Sequence, residues 1–244
     1  MARLLSPPAG LPVITLRPLS GPRAATSGAS QSVAGFVQTT ALPFGMWRWQ
    51  ISFAPMHKAM FRRYRGWVTA LHGGANATRW SFFDPDKMSP REAGLNVSAK
   101  ADWTGSAYDR NWSNGEPWSS GCGWKMSPPV VPVVESASRD DTTVKLSVDF
   151  WGHDLDVGDY IGFMPFHLGL YTVTEVFEPG SYRIWPPLRK AVGPHDFATL
   201  EPVLALRLEG EDSASADRGL VVAESLSVTM VEVLDYDVRE YFAD

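Results

Sequence analysis

Cysteine is nearly absent from this 244-residue chain. Cys122 stands alone, which excludes an internal disulfide framework and a cysteine-based structural zinc site. Long apolar runs are missing too, and none approaches the roughly 18 to 20 residues of a bilayer-spanning helix. The first ten residues carry one arginine and two prolines but no apolar stretch of secretory length, so the chain reads as cytosolically made, with neither a secretion nor an anchoring signal. Acidic residues are absent before Asp84. Nine basic residues (Arg3, Arg17, Arg23, Arg48, Lys58, Arg62, Arg63, Arg65 and Arg79) precede it, leaving 13 basic and 27 acidic residues, a net −14, for the remainder. Such opposed ends suit head-to-tail stacking of copies, a polyanion held by the first third, or a first third lying against the acidic remainder.

Catalytic signatures are equally scarce. Neither a Walker-type phosphate loop, a dinucleotide-binding glycine pattern nor a Gly-x-Ser-x-Gly elbow occurs. The five histidines, His57, His72, His153, His167 and His195, are scattered, with no His-Glu-x-x-His pair. Asp154, Asp156 and Asp159 beside His153 resemble part of an acidic calcium loop but lack its twelve-residue pattern and closing Glu. A polar turn leading into a strand accounts for them. Cys122 sits between glycines with no histidine near it in sequence, as a nucleophile would require. Asp140-Asp141 and Glu209, Glu211 and Asp212 read as solvated turns. Sequons at Asn76, Asn96 and Asn111 mean little without a secretion signal. The sequence calls for no cofactor, no metal and no enzymatic activity.

What is present is a globular composition, 44% hydrophobic and 20% charged, long enough for one large β-rich domain or two smaller ones. Residues 1–31, rich in Pro, Ser, Gly and Ala, read as an extended arm in which Val13, Ile14 and Leu16 could form a short strand. Strands are expected over 32–40 and 46–53, joined as a hairpin through 41–45, with Trp47, Trp49, Ile51 and Phe53 on one face. Pro55 opens the one expected helix. Met60, Tyr64, Trp67, Val68 and Leu71 share a face, Lys58, Arg62 and Arg65 line the other, and Gly73-Gly74 supply the stop. Strand periodicity returns over 77–83.

Residues 84–129 form a long loop with a tryptophan repeat, Trp112-Ser-Asn-Gly, Trp118-Ser-Ser-Gly, then Trp124-Lys. Loops of this length are usually functional or ordered by a partner, and tryptophan is enriched at interface hot spots. Trp103, Trp112, Trp118 and Trp124, with Arg62 and Arg65, are therefore the candidate subunit contacts. Stacking of the tryptophans on sugar rings, or folding of the loop onto its own domain, would use the same residues. Five short strands, 130–134, 143–150, 160–164, 170–177 and 181–185, suggest a small closed barrel. Two long strands, 199–208 and 220–236, around an acidic connection at 209–219 complete the pattern. The expected organisation is a sheet-and-helix domain (32–129 and 198–244) interrupted by a small inserted barrel (130–197).

Taken in order, several of these pieces resemble a family of minor tail proteins of long-tailed bacteriophages and prophages, of the distal tail protein type. The resemblance runs over about residues 33–236. It rests on Gly35-Phe-Val-Gln38, Trp47-Arg48-Trp49, His72-Gly73-Gly74 and Trp80-Ser-Phe-Phe-Asp-Pro85. It continues through the Trp-Ser repeat, Gly158-Asp-Tyr-Ile161, Leu170-Tyr-Thr-Val-Thr174 and Ile184-Trp-Pro-Pro-Leu-Arg189. It implies a mainly β protein, a tail-tube-like β-sandwich or barrel with one flanking helix, plus a small inserted β-barrel. It further implies a homo-oligomeric, hexameric ring in the virion, at the tail tip. The ring would join the tail tube protein to the tail tip hub and baseplate proteins and surround the channel through which DNA passes. A host-surface (carbohydrate) binding or adhesin module, in which the tryptophan loop and the small barrel contact the host envelope, is the alternative, and a cell-wall hydrolase is disfavoured by the missing acid/base pair.

Overall fold

Trp47, Trp49, Ile51 and Phe53 are all at most 3% exposed, and the alternation that buries them sets the architecture. The structure is a computed structural model describing residues 3–19, 45–88, 130–148, 155–165 and 167–234, with the backbone of the short strands 26–31, 37–41, 109–110 and 124–125. In chain order the elements begin with β1 (Leu4–Leu5), β2 (Val13–Pro18), β3 (Thr26–Gln31), β4 (Val37–Ala41) and β5 (Arg48–Phe53). Next come α1 (Lys58–Ala70), a short 3-10 turn (His72–Gly74), β6 (Ala77–Ser81), β7 (Asp109–Arg110) and β8 (Trp124–Lys125). Then follow β9 (Val131–Glu135), β10 (Thr143–Leu146), β11 (Tyr160–Met164), β12 (Tyr171–Glu178), β13 (Ser181–Trp185) and β14 (Phe197–Thr199). The last are β15 (Val203–Leu208), β16 (Ala214–Arg218) and β17 (Ala223–Glu232). The protein is mainly β and divides into two compact units, 1–81 with 203–244, and 82–202.

The first unit is a seven-stranded sheet of order β1-β6-β15-β17-β5-β2, with β16 paired to β17. Only β1–β6 is parallel. The ten-residue β17 organises it, taking β5 on one side and, on the other, β15 along its last residues and β16 along its first. The expected hairpin between 32–40 and 46–53 is not formed. β4 pairs with β3, and β5 pairs with β17 and β2, because a strand of this length and burial satisfies its backbone on both edges against long neighbours. Likewise, the stretch read as an arm contributes β1 and β2 to the sheet.

The helix begins at Lys58, three residues after Pro55, because Met56 is first used as a sheet residue. Its N–H donates to the Ala223 carbonyl and its carbonyl accepts the Ala223 N–H, at 2.9 and 2.8 Å. The stop falls where glycine permits it: Gly73 and Gly74 have φ of 62° and 102°, and a Cβ on Gly74 would run into the Leu208 carbonyl oxygen.

The second unit contains a closed barrel of order β10-β13-β12-β11-β14-β9. Its core draws on every strand, through residues such as Val131, Val144, Ile161, Tyr171, Ile184 and Ala198. The five strands read from sequence are joined by a sixth, β14. The expected long strand 199–208 is two strands, β14 in the barrel and β15 in the sheet. The break falls at Glu201-Pro202, where the Glu201 N–H turns to the Thr199 hydroxyl at 3.1 Å and proline offers no N–H to continue a ladder. The opening of the expected long loop also belongs here: Phe82 packs edge-on to Tyr160, Lys87 pairs with Glu201 at 3.0 Å, and Met88 enters the barrel core.

Candidate assembly surfaces

Helix α1 has two unlike faces. Its inner side is aromatic: Tyr64 and Trp67 are buried, Phe53 meets both rings edge-on, Trp80 packs on Trp67, and the Trp67 indole N–H donates to the Thr78 hydroxyl at 3.3 Å. Burial raises the Tyr64 phenol to about 12. The outer side is cationic. Lys58, Arg62 and Arg65 recur at i, i+4 and i+7 and therefore form one stripe. Arg63 points about 100° round the helix from Arg62, and all four are exposed. No ion pair joins any of the four to a carboxylate among the described residues. Arg62 and Arg65, named from sequence as subunit contacts, thus stand on the open face. Trp103, Trp112 and Trp118 lie outside the described residues. Trp124 opens β8, opposite Arg110, and its side chain also lies outside them.

The second surface was hidden in the acidic connection 209–219, whose polarity is that of a loop. It contains β16, which turns back through Gly219–Val222 into β17. This hairpin rests on α1 from its open end to the residue before the turn. Tyr64 Oη reaches the Ser215 carbonyl at 3.5 Å, the Arg218 guanidinium lies 4.9 Å over the Phe61 ring, and the Ser215 and Ser227 hydroxyls meet at 2.8 Å. The tip projects: Leu220 is fully exposed and Val221 74% exposed. Directly across the hairpin Asp217 faces Glu224, and both line a hollow of about 530 Å³ with Ala216, Arg218, Gly219 and Val222. The sequence signal that could have found it is the pattern Asp217-Arg218-Gly219, a turn cue, followed at once by three apolar residues.

One ion pair and one hydrogen bond to a buried carboxylate fasten the neighbouring strands. Arg48 of β5 pairs with Glu209 at 2.5 Å, and the buried Glu232 carboxylate accepts the Trp47 backbone N–H at 3.0 Å. In the barrel, the one buried histidine among the described residues is His167. Burial, with the charges of Lys190 and Arg189 adding to it, lowers its pKa to about 3, so the ring is neutral at pH 7. It packs on Phe163 and Tyr171 as a core element. Among the described residues no group of three or more His, Cys, Asp or Glu is placed to hold a metal ion. Asp156 and Asp159 form a turn in which the Asp159 carboxylate accepts the Asp156 N–H at 2.8 Å, while His153 and Asp154 lie outside the described residues, as does Cys122. No described helix is long and apolar enough to cross a membrane.

No protein-family model matches the chain, and no curated protein matches it in sequence.

Proposed function

We propose that this chain is a structural ring subunit of the distal tail protein type. Copies of it would join a phage tail tube to the tail tip hub and baseplate around the path of the DNA, without catalysing a reaction. The observation that carries the reading is the way the chain interrupts its sheet. It leaves at Ser81 and returns at Val203, which pair directly as neighbours in β6 and β15, and spends the intervening residues on a separate unit containing a closed barrel. The family resemblance implies a tail-tube-like β-sandwich or barrel with one flanking helix and a small inserted barrel, and a helix-flanked sheet interrupted by a closed barrel supports that reading.

Two further features support an assembling protein. The charge of the first third is opposite to that of the rest, and an apolar hairpin tip and a cationic helix face both stand open to solvent. Large exposed apolar side chains grouped together mark interaction sites more often than free surface. The test is electron microscopy of the purified full chain, with native mass measurement of the same sample. Rings with a central hole and six-fold symmetry are expected. A protein that stays monomeric at high concentration and low salt would remove the reading.

A further inference from the structure

The hairpin of β16 and β17 carries an electrostatic fault that its own fold does not repair. Asp217 and Glu224 are direct cross-strand partners, and like charges in that position destabilise a hairpin. No described cation forms an ion pair with either. Arg218, which lines the same hollow, is turned onto the Phe61 ring. Glu211 and Asp212, at the turn leading into β16, are likewise exposed and without an ion pair among the described residues. Beyond the two facing carboxylates, Leu220 and Val221 are held out in water.

The complementary surface is on the same unit. Lys58, Arg62 and Arg65 form an exposed stripe on α1 with no described acid paired to it. Within one chain no ion pair joins the two surfaces among the described residues. Tyr64 Oη donates to the Ser215 carbonyl and Phe61 receives the Arg218 guanidinium beside the turn, while the cationic stripe faces away from the buried aromatic side. We infer that the Asp217/Glu224 hairpin tip of one copy docks on the Lys58/Arg62/Arg65 stripe of a second copy, with Leu220 and Val221 covered in the contact.

Two different patches meeting make a heterologous interface, and such contacts generate a closed ring when the rotation between copies closes. A nucleic acid could occupy the cationic stripe, but it would leave the facing carboxylates and the apolar tip without a partner. A second copy accounts for all three. The inference rests on the ring reading and adds the contact that builds it.

The test uses the full chain and two charge-reversed variants, Arg62→Glu with Arg65→Glu, and Asp217→Lys with Glu224→Lys. Each is checked for a wild-type circular dichroism spectrum. Analytical ultracentrifugation should show each variant associating at least about tenfold more weakly than wild type, because each removes one side of the attraction and adds repulsion. Mixing the two variants should restore assembly, since reversed helix then meets reversed hairpin in alternating copies, and added salt should weaken wild-type association. Wild type that assembles while both variants assemble equally well overturns the docking contact and leaves the ring reading standing. Wild type that never assembles removes both. Nucleic-acid binding lost in the helix variant, with self-association unchanged in the hairpin variant, also overturns the contact.

Discussion

Tyr171 Oη stands 2.5 Å from Nε2 of the buried His167 and accepts the backbone N–H of Arg189 at 2.9 Å, so one hydroxyl ties the start of β12 to the segment after β13. With the Arg189 amide supplying a proton to the oxygen, the phenol is free to donate its own to a neutral imidazole. A protonated imidazole would offer it no acceptor.

That relationship predicts acid sensitivity of the barrel. His167 ordinarily titrates near 6.5 and is lowered to about 3 in the fold, so below pH 6.5 the unfolded chain binds a proton that the folded chain refuses. Its stabilising contribution is complete above about pH 6.5 and is lost as pH falls toward 3, at up to about 1.4 kcal/mol per pH unit. Denaturant titrations of wild type and His167→Gln at pH 7, 5.5 and 4 should show a shallower decline in the variant. Equal declines would mean that another group controls acid unfolding.

Gly74→Ala should be among the most damaging small changes in the sheet unit. The residue has φ of 102°, and an added Cβ meets the Leu208 backbone, which is fixed in β15. We expect a loss of more than about 1 kcal/mol by thermal or chemical denaturation. Gly66, in the exposed part of α1, has open space where a Cβ would stand, with nothing within 4 Å, and Gly66→Ala should stabilise the helix by about 1 kcal/mol.

Replacing both Trp112 and Trp118 with Ala tests the tryptophan repeat as an interface. A folded protein of monomer mass by light scattering is expected, since interface tryptophans commonly carry much of the binding energy. An unchanged oligomer mass would take these residues out of the subunit contact. Glycan binding that disappears in the same variant would assign them to the host-surface reading.

How much of this could be read from the chain depends on range. The faces of β5 and α1 were legible because burial at Trp47, Trp49, Ile51, Phe53, Tyr64 and Trp67 is a local periodicity. The stop at Gly73-Gly74 was legible because positive φ has few tenants. Pairing partners were not, because period two says which way a side chain points and nothing about which strand lies alongside. β5 finds β17 across the length of the chain, and no local signal marks that choice. β16 was missed for another reason. Four of its five residues are exposed, so its sequence has the polarity of a loop and its strand form comes from pairing with β17. The split at Pro202 follows from a local rule, since proline offers no N–H to continue a ladder, as the turn into β17 follows from the cue at Asp217-Arg218-Gly219.

The pairing of Ser81 with Val203 also orders events in time. As the polypeptide emerges from a ribosome, β6 must wait with its edge open until every strand of the barrel has been made, because the neighbour it needs, β15, is translated afterwards. The barrel holds all of its strands within one continuous stretch and is able to condense first. The sheet is completed last, and a nascent chain halted after β14 and before the end of β17 would carry every strand of the barrel attached to an unfinished sheet.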